Sequence, residues 1–523
     1  MAKNSEIILV KDINIDREYV NVLSYGEEQM LNLCRQKQVA SRSDFSFIRT
    51  SGNIYTQFTY EQCLQANYIA FQNPDYSNKW FFAFIDDVIY KGNSNTEIVF
   101  TVDAWSTWFE NWNKKPCFIT RQHTNNDSIG ANTVAENIDV GEVYEEGYEI
   151  YSDLSNNYYF IIMSTYNPFL DRDFEGVSEI NGNLFGANIF VFPINDIISI
   201  SHFIAYTNSK GKIESINSLF IAPKLLIDNL NLREQTGTYQ GATFNCFIVD
   251  YGGDYKDTAI EVPFPVENVR SFSDYTPKNN KCFVYPYNYL LVSNNIGNQN
   301  IYKYEDFYVN GQNTENSSFA IQLAFSIGCS VRLVPRGYKN IDYNYDESLP
   351  LAKYPTCSWS ADAFTNWLTD NAVNIGTQIV ATGVGVVTGN IPTVAGNIAS
   401  LIGQFYQASL LPSIQGGQNT GDVNFSSKSN NFVFHKMRVK TEYLKIIDDY
   451  FTRFGYKVNK LETPNIIGRR NWNYVEIGQS EEIGYGTVPT KYMETINKAC
   501  RKGVTIWHNH ENIGNYNLDN SII

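Results

Sequence analysis

Residues 79–102 read KWFFAFIDDVIYKGNSNTEIVFTV and contain two apolar runs separated by turn-forming residues. The first run covers 79–90, the second covers 97–102, and a Gly-Asn-Ser-Asn cluster lies between them at 92–95. Runs rich in Phe, Ile, Val and Tyr that flank Gly and Asn are typical of a β-hairpin. This segment predicts a β-meander in the first part of the chain.

Similar apolar runs predict that strands continue along most of the sequence. They occur at 158–163 (YYFIIM), 188–193 (NIFVFP), 282–292 (CFVYPYNYLLV), 319–334 and 432–441 (FVFHKMRVKT). Aromatic residues form 15% of the chain, a share that favours strands over helical bundles. We therefore predict a mainly β fold of barrel or sandwich domains, with a few short helices and one long hydrophobic insertion.

Three segments carry helical signals. In 103–112 four aromatic residues recur at i, i+3, i+4 and i+7, and Asp103 is available as the N-cap. In 443–454 six apolar residues follow the same period up to Gly455. A shorter helix is expected over 489–500, with proline at its start and Gly503 just beyond its end.

The tryptophans of the first helical segment, Trp105, Trp108 and Trp112, allow two interpretations. A one-sided aromatic row usually packs a helix on a sheet, and we favour that interpretation. The alternative is a platform for stacking carbohydrate rings.

Composition excludes several classes of protein. The 523 residues carry a net charge of −15, which argues against wrapping nucleic acid on a basic face and against electrostatic docking on anionic lipid. Eight cysteines are dispersed without a CxxC pair, which indicates folding in a reducing cytosol. The N-terminal residues lack an apolar run long enough for a secretory signal, so we expect delivery by a route other than secretion.

No catalytic pattern stands out. The letters His508-Asn509-His510 spell H-N-H, and two histidines at i and i+2 could share a metal, but a nuclease needs a positive cleft that this composition does not favour. Adjacent carboxylates such as Asp86-Asp87 are common in an acidic chain. Phosphate-loop and serine-nucleophile motifs are absent from the sequence. We predict a protein that is not an enzyme, with no cofactor and no metal.

Residues 371–421 form a stretch of 51 residues without Asp, Glu, Lys or Arg, where the chain average of 18% charged residues leads us to expect about nine. A turn-like Gly-Asn-Ile-Pro at 389–392 divides it into arms 372–389 and 391–411. As helices these arms would span about 27 and 32 Å, close to the roughly 30 Å hydrocarbon core of a bilayer. The predicted membrane-inserting residues are Val380, Val384, Val386, Val387, Ile391, Val394, Ile398, Leu401, Ile402 and Phe405.

The same stretch also fits other structures. Thr, Asn and Gln interrupt both arms, so neither matches a permanent transmembrane anchor. On these features alone, a buried core hairpin or a Gly-rich loop is as well supported as conditional membrane insertion. The six glycines within the arms weigh against a rigid helical core.

Four blocks of the sequence resemble the tail knob proteins of the small, short-tailed, phi-twenty-nine-like phages of Gram-positive bacteria. They are 67–85 (NYIAFQNPDYSNKWFFAFI), 283–288 (FVYPYN), 451–473 (FTRFGYKVNKLETPNIIGRRNWN) and 503–520 (GVTIWHNHENIGNYNLDN). The blocks occur in the family's order and bracket nearly the whole chain. Residues 129–275 resemble the family only in β character.

This resemblance implies a virion structural protein in the distal tail, assembled in the host cytoplasm as a homohexameric tube. Genome DNA would pass through the lumen with only transient, non-specific contact. The uncharged stretch occupies the place of a loop that plugs the lumen and then enters the host cytoplasmic membrane. The lower collar protein is the expected neighbour in the tail. The H-N-H letters fall within the last block, where local packing is the expected role.

The expected domains are an N-terminal β tube domain at 1–128, a middle β-rich domain at 129–275, a C-terminal β tube domain with packed helices at 276–370 and 422–523, and the insertion at 371–421. Two alternative functions stay open at this point. One is the tail-tip receptor-binding or glycan-degrading protein, and the other is a soluble pore-forming toxin that uses the same hydrophobic hairpin.

Overall fold

A computed structural model places the chain in two compact units, each of which is assembled from separate stretches of sequence. Unit 1 comprises Met1–Val140, Ser273–Cys282 and Thr441–Ile523, and unit 2 comprises Gly141–Phe272 and Phe283–Lys440. The residues that the structure describes are 5–43, 45–48, 52–72, 79–151, 158–180, 183–250, 260–262, 271–294, 298–309, 312–313, 318–325, 329–336, 338–340, 357–360 and 432–523.

Unit 1 is mainly β, with helices at its N-terminal and C-terminal parts. Its strands are Glu6–Val10, Asn21–Leu23, Gln38–Arg42, Phe45–Ile48, Asn53–Thr56, Tyr68–Gln72, Trp80–Gly92, Asn95–Val102, Trp112–Lys114, Cys117–Gln122, Tyr456–Glu462, Trp472–Ile477, Gly484–Gly486 and Val504–Trp507. Its helices are Glu27–Gln36, Tyr60–Leu64, Ala104–Trp108, Thr441–Phe454 and Thr490–Lys502, with 3-10 turns at Phe109–Asn111 and His510–Asn512.

The hairpin predicted from 79–102 forms the middle of an antiparallel sheet. Its strands Trp80–Gly92 and Asn95–Val102 pair directly, with Gly92 opposite Asn95. The described strands of this sheet run in the order 38–42, 6–10, 68–72, 80–92, 95–102, 53–56 and 45–48. Successive side chains of its central strands are buried, so both faces of the sheet are covered there, and Phe71 stacks on Phe81 with ring centroids 5.5 Å apart.

A second sheet of unit 1 joins the two ends of the chain. Its order is 21–23, 504–507, 472–477, 117–122 and 456–462. Strand Asn21–Leu23 lies parallel to Val504–Trp507, whereas the other pairs are antiparallel. Residues that are nearly 500 positions apart in sequence are therefore neighbours in one sheet.

Unit 2 consists of several smaller sheets. Its strands are Val143–Tyr151, Tyr158–Ser164, Tyr166–Asn167, Arg172–Asp173, Ser178–Ile180, Asn183–Phe185, Asn188–Pro193, Ile216–Pro223, Leu232–Tyr239, Ala242–Val249, Ile260–Val262, Asn288–Ser293, Gln299–Tyr302, Tyr308–Val309, Gln312–Asn313, Ser318–Phe325, Cys329–Arg336, Cys357–Ser360 and Phe432–Val439. Its described helices are Ile197–Ser209 and Lys224–Asp228, with 3-10 turns at Ile213–Ser215, Tyr304–Phe307 and Tyr338–Asn340.

Three sheets build the core of unit 2. The strand orders are 216–223, 158–164, 188–193, 242–249 and 232–239 in the first, 143–151, 432–439, 288–293 and 299–302 in the second, and 260–262, 318–325, 329–336 and 357–360 in the third. Helix Ile197–Ser209 packs on the first sheet, where Phe203 meets Phe190 with ring centroids 4.6 Å apart. The mainly β prediction is confirmed.

Two of the predicted helices are confirmed with small changes of boundary. Helix Thr441–Phe454 ends before Gly455, whose φ of +64° favours glycine, and a Cβ there would lie 2.2 Å from Gln122 O. Helix Thr490–Lys502 starts after Pro489 and stops at Gly503, which has a φ of +91°.

The third predicted helix, 103–112, is shorter than its aromatic period suggests. Asp103 caps it by accepting a hydrogen bond of 3.1 Å from Ser106 N, but the α-helix ends at Trp108 and a 3-10 turn follows. Trp112 instead begins a strand that pairs with Gly484–Gly486. Pairing with a distant strand satisfies the backbone there, so tertiary contacts override the local helical period.

The two units are defined by contacts within the chain. These contacts assign residues 1–140 and residues 441–523 to the same unit, unit 1. The division into domains 1–128, 129–275, 276–370 with 422–523, and 371–421 stays a prediction.

Candidate functional site

The predicted membrane-inserting residues lie outside the described residues. This holds for the complete set, Val380, Val384, Val386, Val387, Ile391, Val394, Ile398, Leu401, Ile402 and Phe405, and for the whole 371–421 stretch. Their role stays a prediction that depends on the sequence. What the structure does provide is the protein frame on both sides of the stretch.

That frame is made of paired strands. On the N-terminal side, strand Cys357–Ser360 pairs with Cys329–Arg336, with Val331 opposite Trp359. On the C-terminal side, strand Phe432–Val439 pairs on one edge with Val143–Tyr151 and on the other with Asn288–Ser293. Both flanking strands therefore have β partners that come from outside the 371–421 stretch.

Among the described residues, no helix combines the length and the apolar character that crossing a bilayer requires.

The tryptophan row is part of the core. Trp105, Trp108 and Trp112 are 1%, 8% and 6% exposed. Trp105 Nε1 donates to Leu23 O at 2.9 Å, and Trp108 stacks on Tyr492 with ring centroids 5.9 Å apart. No ring face of the row is left for a sugar, so the packing interpretation is confirmed and the proposed sugar platform is wrong.

The H-N-H letters mark local packing contacts. His508 hydrogen-bonds Ser24 Oγ at 2.8 Å and Asn473 Oδ1 at 3.1 Å. His510 is buried and has separate partners, with Nε2 accepting from Asn14 N at 3.4 Å. Burial lowers the pKa of both imidazoles, which keeps them neutral at pH 7. Within the described ranges, no group of His, Cys, Asp and Glu is arranged to hold a metal ion.

A buried ion cluster centres on Glu136 in unit 1. The Glu136 side chain has no exposed surface, and its two carboxylate oxygens bind Arg121 Nη2 and Lys281 Nζ. The carboxylate also accepts from Lys457 N at 2.9 Å. Burial lowers the pKa of Lys281, and the charge of Glu136 opposes that shift. One carboxylate is thus the shared counter-ion of two cations that have little contact with water.

A second buried carboxylate ties residues 273–282 to the helix Thr441–Phe454. Asp448 on this helix is fully buried and accepts from Tyr275 Oη at 2.6 Å, Lys278 N at 2.8 Å and Asn279 N at 3.0 Å. Several donors directed at one carboxylate fix the position of segment 273–282 against the helix.

A third buried carboxylate, Glu305, lies in unit 2. Both of its oxygens accept from Tyr285 N, at 3.2 and 3.1 Å, and the residue is 8% exposed. Burial raises the pKa of Glu305 to about 7, with a smaller contribution from the negative charge of Asp306; the Tyr285 hydrogen bonds and Lys303 act in the opposite direction. This carboxyl group therefore changes its charge near neutral pH.

Glu305→Gln is expected to stabilise the protein at pH 8 and to have little effect at pH 4.5. The folded-state pKa is above its unfolded value of 4.5, so stabilisation by the protonated form is complete below pH 4.5 and is lost as the pH rises through 7. Gln stays neutral and keeps an acceptor for Tyr285 N. The expected gain in unfolding free energy at pH 8 is about 3 kcal/mol at most.

Urea denaturation at pH 4.5 and pH 8 measures this difference. The matched control is Glu214→Gln, at an exposed glutamate of the same unit, where a change below about 0.5 kcal/mol is expected at both pH values. An equal change for Glu305→Gln at both pH values would show that this carboxyl group does not titrate in the expected range.

Sequence patterns did not identify these buried carboxylates. Glu136 is one of several acids in a polar segment, and its partner Lys281 is 145 positions away. The partners of Asp448 are about 170 positions away. Predicting contacts between residues so far apart in sequence requires knowledge of the tertiary fold, which a single sequence does not contain.

Sequence comparison relates an N-terminal region and a C-terminal region of the chain to phage tail proteins. Residues 253–521 match the family described as Bacillus phage phi29 tail knob protein gp9, C-terminal domain, and residues 3–114 match the family of the caudoviral major tail protein N-terminus. The chain is 22% identical to tail knob protein gp9 of Bacillus phage phi29, over 99% of this chain and 98% of that protein. It is 24% identical to tail knob protein gp9 of Bacillus phage B103, over 87% of this chain and 88% of that protein.

Structural comparison gives a similar fold. The structure of the bacteriophage C1 tail knob protein, gp12, matches with a TM-score of 0.52 and 14% sequence identity. The match covers 99% of this chain and all of that chain. At this identity the likeness concerns the fold alone.

Proposed function

The chain belongs to the phi29 tail knob protein gp9 family, and we propose that it forms a tube at the distal end of the tail through which genome DNA leaves the virion. The resemblance noted in the four sequence blocks is thereby confirmed. As a tail knob protein, it is a structural component of the virion tail, in a multimeric assembly with other tail proteins, and is not an enzyme.

The proposal includes a role for the uncharged stretch. Residues 371–421 plug the lumen of the tube before infection and enter the host cytoplasmic membrane during it. The observation that carries this part is the absence of any charged residue across 51 positions, in two arms that match the thickness of a bilayer. The stretch lies within the 253–521 region that matches the tail knob family.

The paired strands on either side support a separable insertion. Strand Phe432–Val439 has a partner on each edge, and Cys357–Ser360 extends a sheet already made by Cys329–Arg336. The partners observed for both strands come from outside the 371–421 stretch. An insertion of this kind can change its position without unfolding the sheets that flank it.

Charge supports passage of DNA rather than tight binding. Each copy carries a net charge of −15, and in the proposed homohexamer six copies surround the lumen. Phosphate contacts from Lys and Arg supply most non-specific DNA affinity, so a strongly acidic wall keeps contacts with the passing genome transient. The lower collar protein is the proposed neighbour at the other end of the tube.

Replacing 371–421 with a short Gly/Ser linker is expected to leave assembly intact and to remove membrane activity. Electron microscopy of the purified variant should show sixfold tubes like those of the parent. Dye release from liposomes, which we expect from the parent, should fall to the background of protein-free liposomes. The physical reason is that the frame strands pair without the insertion, whereas the apolar surface for the bilayer lies within it.

The two measurements test separate parts of the proposal. Light scattering that shows only monomers of the deleted protein, under conditions where the parent forms hexamers, would place the stretch in the subunit interface. Full dye release by the deleted protein would assign membrane activity to another part of the chain. A parent protein that forms discs or trimeric spikes would contradict the tube itself.

A further inference from the structure

A cleft in unit 1 has a cationic lining in an otherwise acidic protein. It encloses about 430 Å³, within the usual range for small-ligand sites. Its walls come from His123, from segment 273–282, from the helix Thr441–Phe454, from Arg469 and from residues 517–521. The lining side chains with ionisable groups are His123, Lys278, Arg469 and Asp519.

Arg469 is a buried cation without an ionic partner in the described part of the chain. It is 7% exposed, and its Nη2 donates to Thr124 O at 2.9 Å. Its Nη1 donates to Asn520 O at 3.4 Å, and its Nε has neither a hydrogen-bond partner nor solvent contact. A buried guanidinium whose hydrogen bonds reach only neutral carbonyl oxygens has a large desolvation cost, which the charge of Asp127 offsets in part. Such a group has unused capacity to bind an anion.

Nearby acids form no ion pair with Arg469 among the described residues. Asp127 accepts hydrogen bonds from Tyr456 Oη and from Asn280 N; burial raises its pKa, and the hydrogen bond from Tyr456 and the charge of Arg469 oppose that shift. Asp519 lines the cleft but pairs with Arg470 Nη1 at 2.8 Å. Among the described residues, Asp127 therefore acts on Arg469 only through its charge, without a direct ion pair.

The other lining groups add one cation and no further acid. Lys278 is exposed, and its Nζ has no hydrogen-bond or ion-pair partner among the described residues. His123 is neutral, because burial lowers its pKa to about 3 and its two ring nitrogens bond to Tyr474 N and Thr452 O. The exposed residue Asn517 supplies a neutral amide at the wall.

We propose that this cleft binds a phosphate group, with the guanidinium of Arg469 at its base and the ammonium group of Lys278 at its rim. The ligand meets the guanidinium through Nη1, since the 3.4 Å bond to Asn520 O is longer than an ordinary hydrogen bond and is readily exchanged. Three phosphate oxygens match two cations and the neutral amide of Asn517 better than two carboxylate oxygens do. The C-terminal residues 517–521 form one wall of the cleft beside the bound group.

Isothermal titration of the full chain with inorganic phosphate tests this proposal. Sodium acetate and sodium chloride at equal ionic strength control for carboxylate binding and for general charge screening. We expect saturable binding of phosphate and no saturable heat from acetate or chloride. A further titration uses dimethyl phosphate. If it binds as tightly as inorganic phosphate, the natural ligand is a phosphodiester. If it binds more weakly, the natural ligand is a terminal phosphate.

Two variants locate the site. Lys278→Ala, at an exposed side chain, should weaken phosphate binding about tenfold through loss of one charge-assisted contact. The matched control Lys491→Ala removes an exposed lysine from the helix Thr490–Lys502 of the same unit and should leave the affinity unchanged. Folded Arg469→Gln protein should show no saturable binding.

The proposal is overturned if the parent shows no saturable phosphate binding, or if Lys278→Ala and Lys491→Ala bind phosphate equally well. Because Lys278 is exposed, this comparison stays decisive even where Arg469→Gln fails to fold. The inference is independent of the tube proposal: loss of phosphate binding is measured on the purified chain and requires no membrane or DNA.

Discussion

Val384→Asp protein is expected to assemble normally and to lose dye release from liposomes at neutral pH. Val384 lies in the interior of the first proposed arm, 372–389. A carboxylate near the centre of a membrane-inserted helix costs about 3 kcal/mol, and the penalty recurs in every subunit of the proposed hexamer. Assembly should be unaffected, because the strands that flank the stretch pair with strands outside it.

The matched control is Gln415→Asp, which adds the same charge within 371–421 but outside both proposed arms. Gln415→Asp protein should release dye nearly as well as the parent. At acidic pH the new carboxyl of Val384→Asp becomes protonated, so part of its dye release should return. Equal release by Val384→Asp and parent tubes at neutral pH would contradict membrane insertion and favour a buried core hairpin.

Glu136→Gln is expected to destabilise unit 1 by about 3 to 5 kcal/mol in unfolding free energy. Glu136 is the shared counter-ion of Arg121 and Lys281, and the Lys281 side chain is 2% exposed. The amide keeps the shape of the side chain but leaves two buried cations without a counter-charge. Urea denaturation followed by tryptophan fluorescence measures the loss, since six of the eight tryptophans lie in unit 1.

Glu482→Gln provides the control, because Glu482 pairs with Lys115 at 2.6 Å on the surface. An exposed pair of this kind contributes less than about 1 kcal/mol. Both variants are compared with the parent at one protein concentration, since assembly also contributes to stability. If Glu136→Gln and Glu482→Gln unfold at the same urea concentration, the buried cluster adds nothing beyond a surface ion pair.

Local structure was largely predictable from the sequence. The hairpin of 79–102, the strand at 188–193 and the helices before Gly455 and Gly503 all follow short-range patterns of apolar residues, turns and caps. Such patterns predict local structure well when the tertiary contacts favour the same conformation. At Trp112 they disagree, and pairing with Gly486 converts a predicted helical position into a strand.

The candidate membrane site was predicted from the sequence alone, and it stays a prediction at residue level. The absence of charge across 371–421 is a property of composition and needs no knowledge of the fold. The tryptophan row shows the opposite situation. Its spacing fits both a core helix and a sugar platform, and only the burial of Trp105, Trp108 and Trp112 separates the two.

The sequence by itself determined the mainly β class, most strand and helix positions, the uncharged insertion and the resemblance to tail knob proteins. Only the tertiary structure decided that residues 504–507 join residues 21–23 in one sheet, that Glu136 holds two buried cations, and that Arg469 lines a cationic cleft. The reason is one of range. Helical and strand periods depend on residues that are close in sequence. Burial and charge pairing depend on partners that strand pairing brings together from distant parts of the chain.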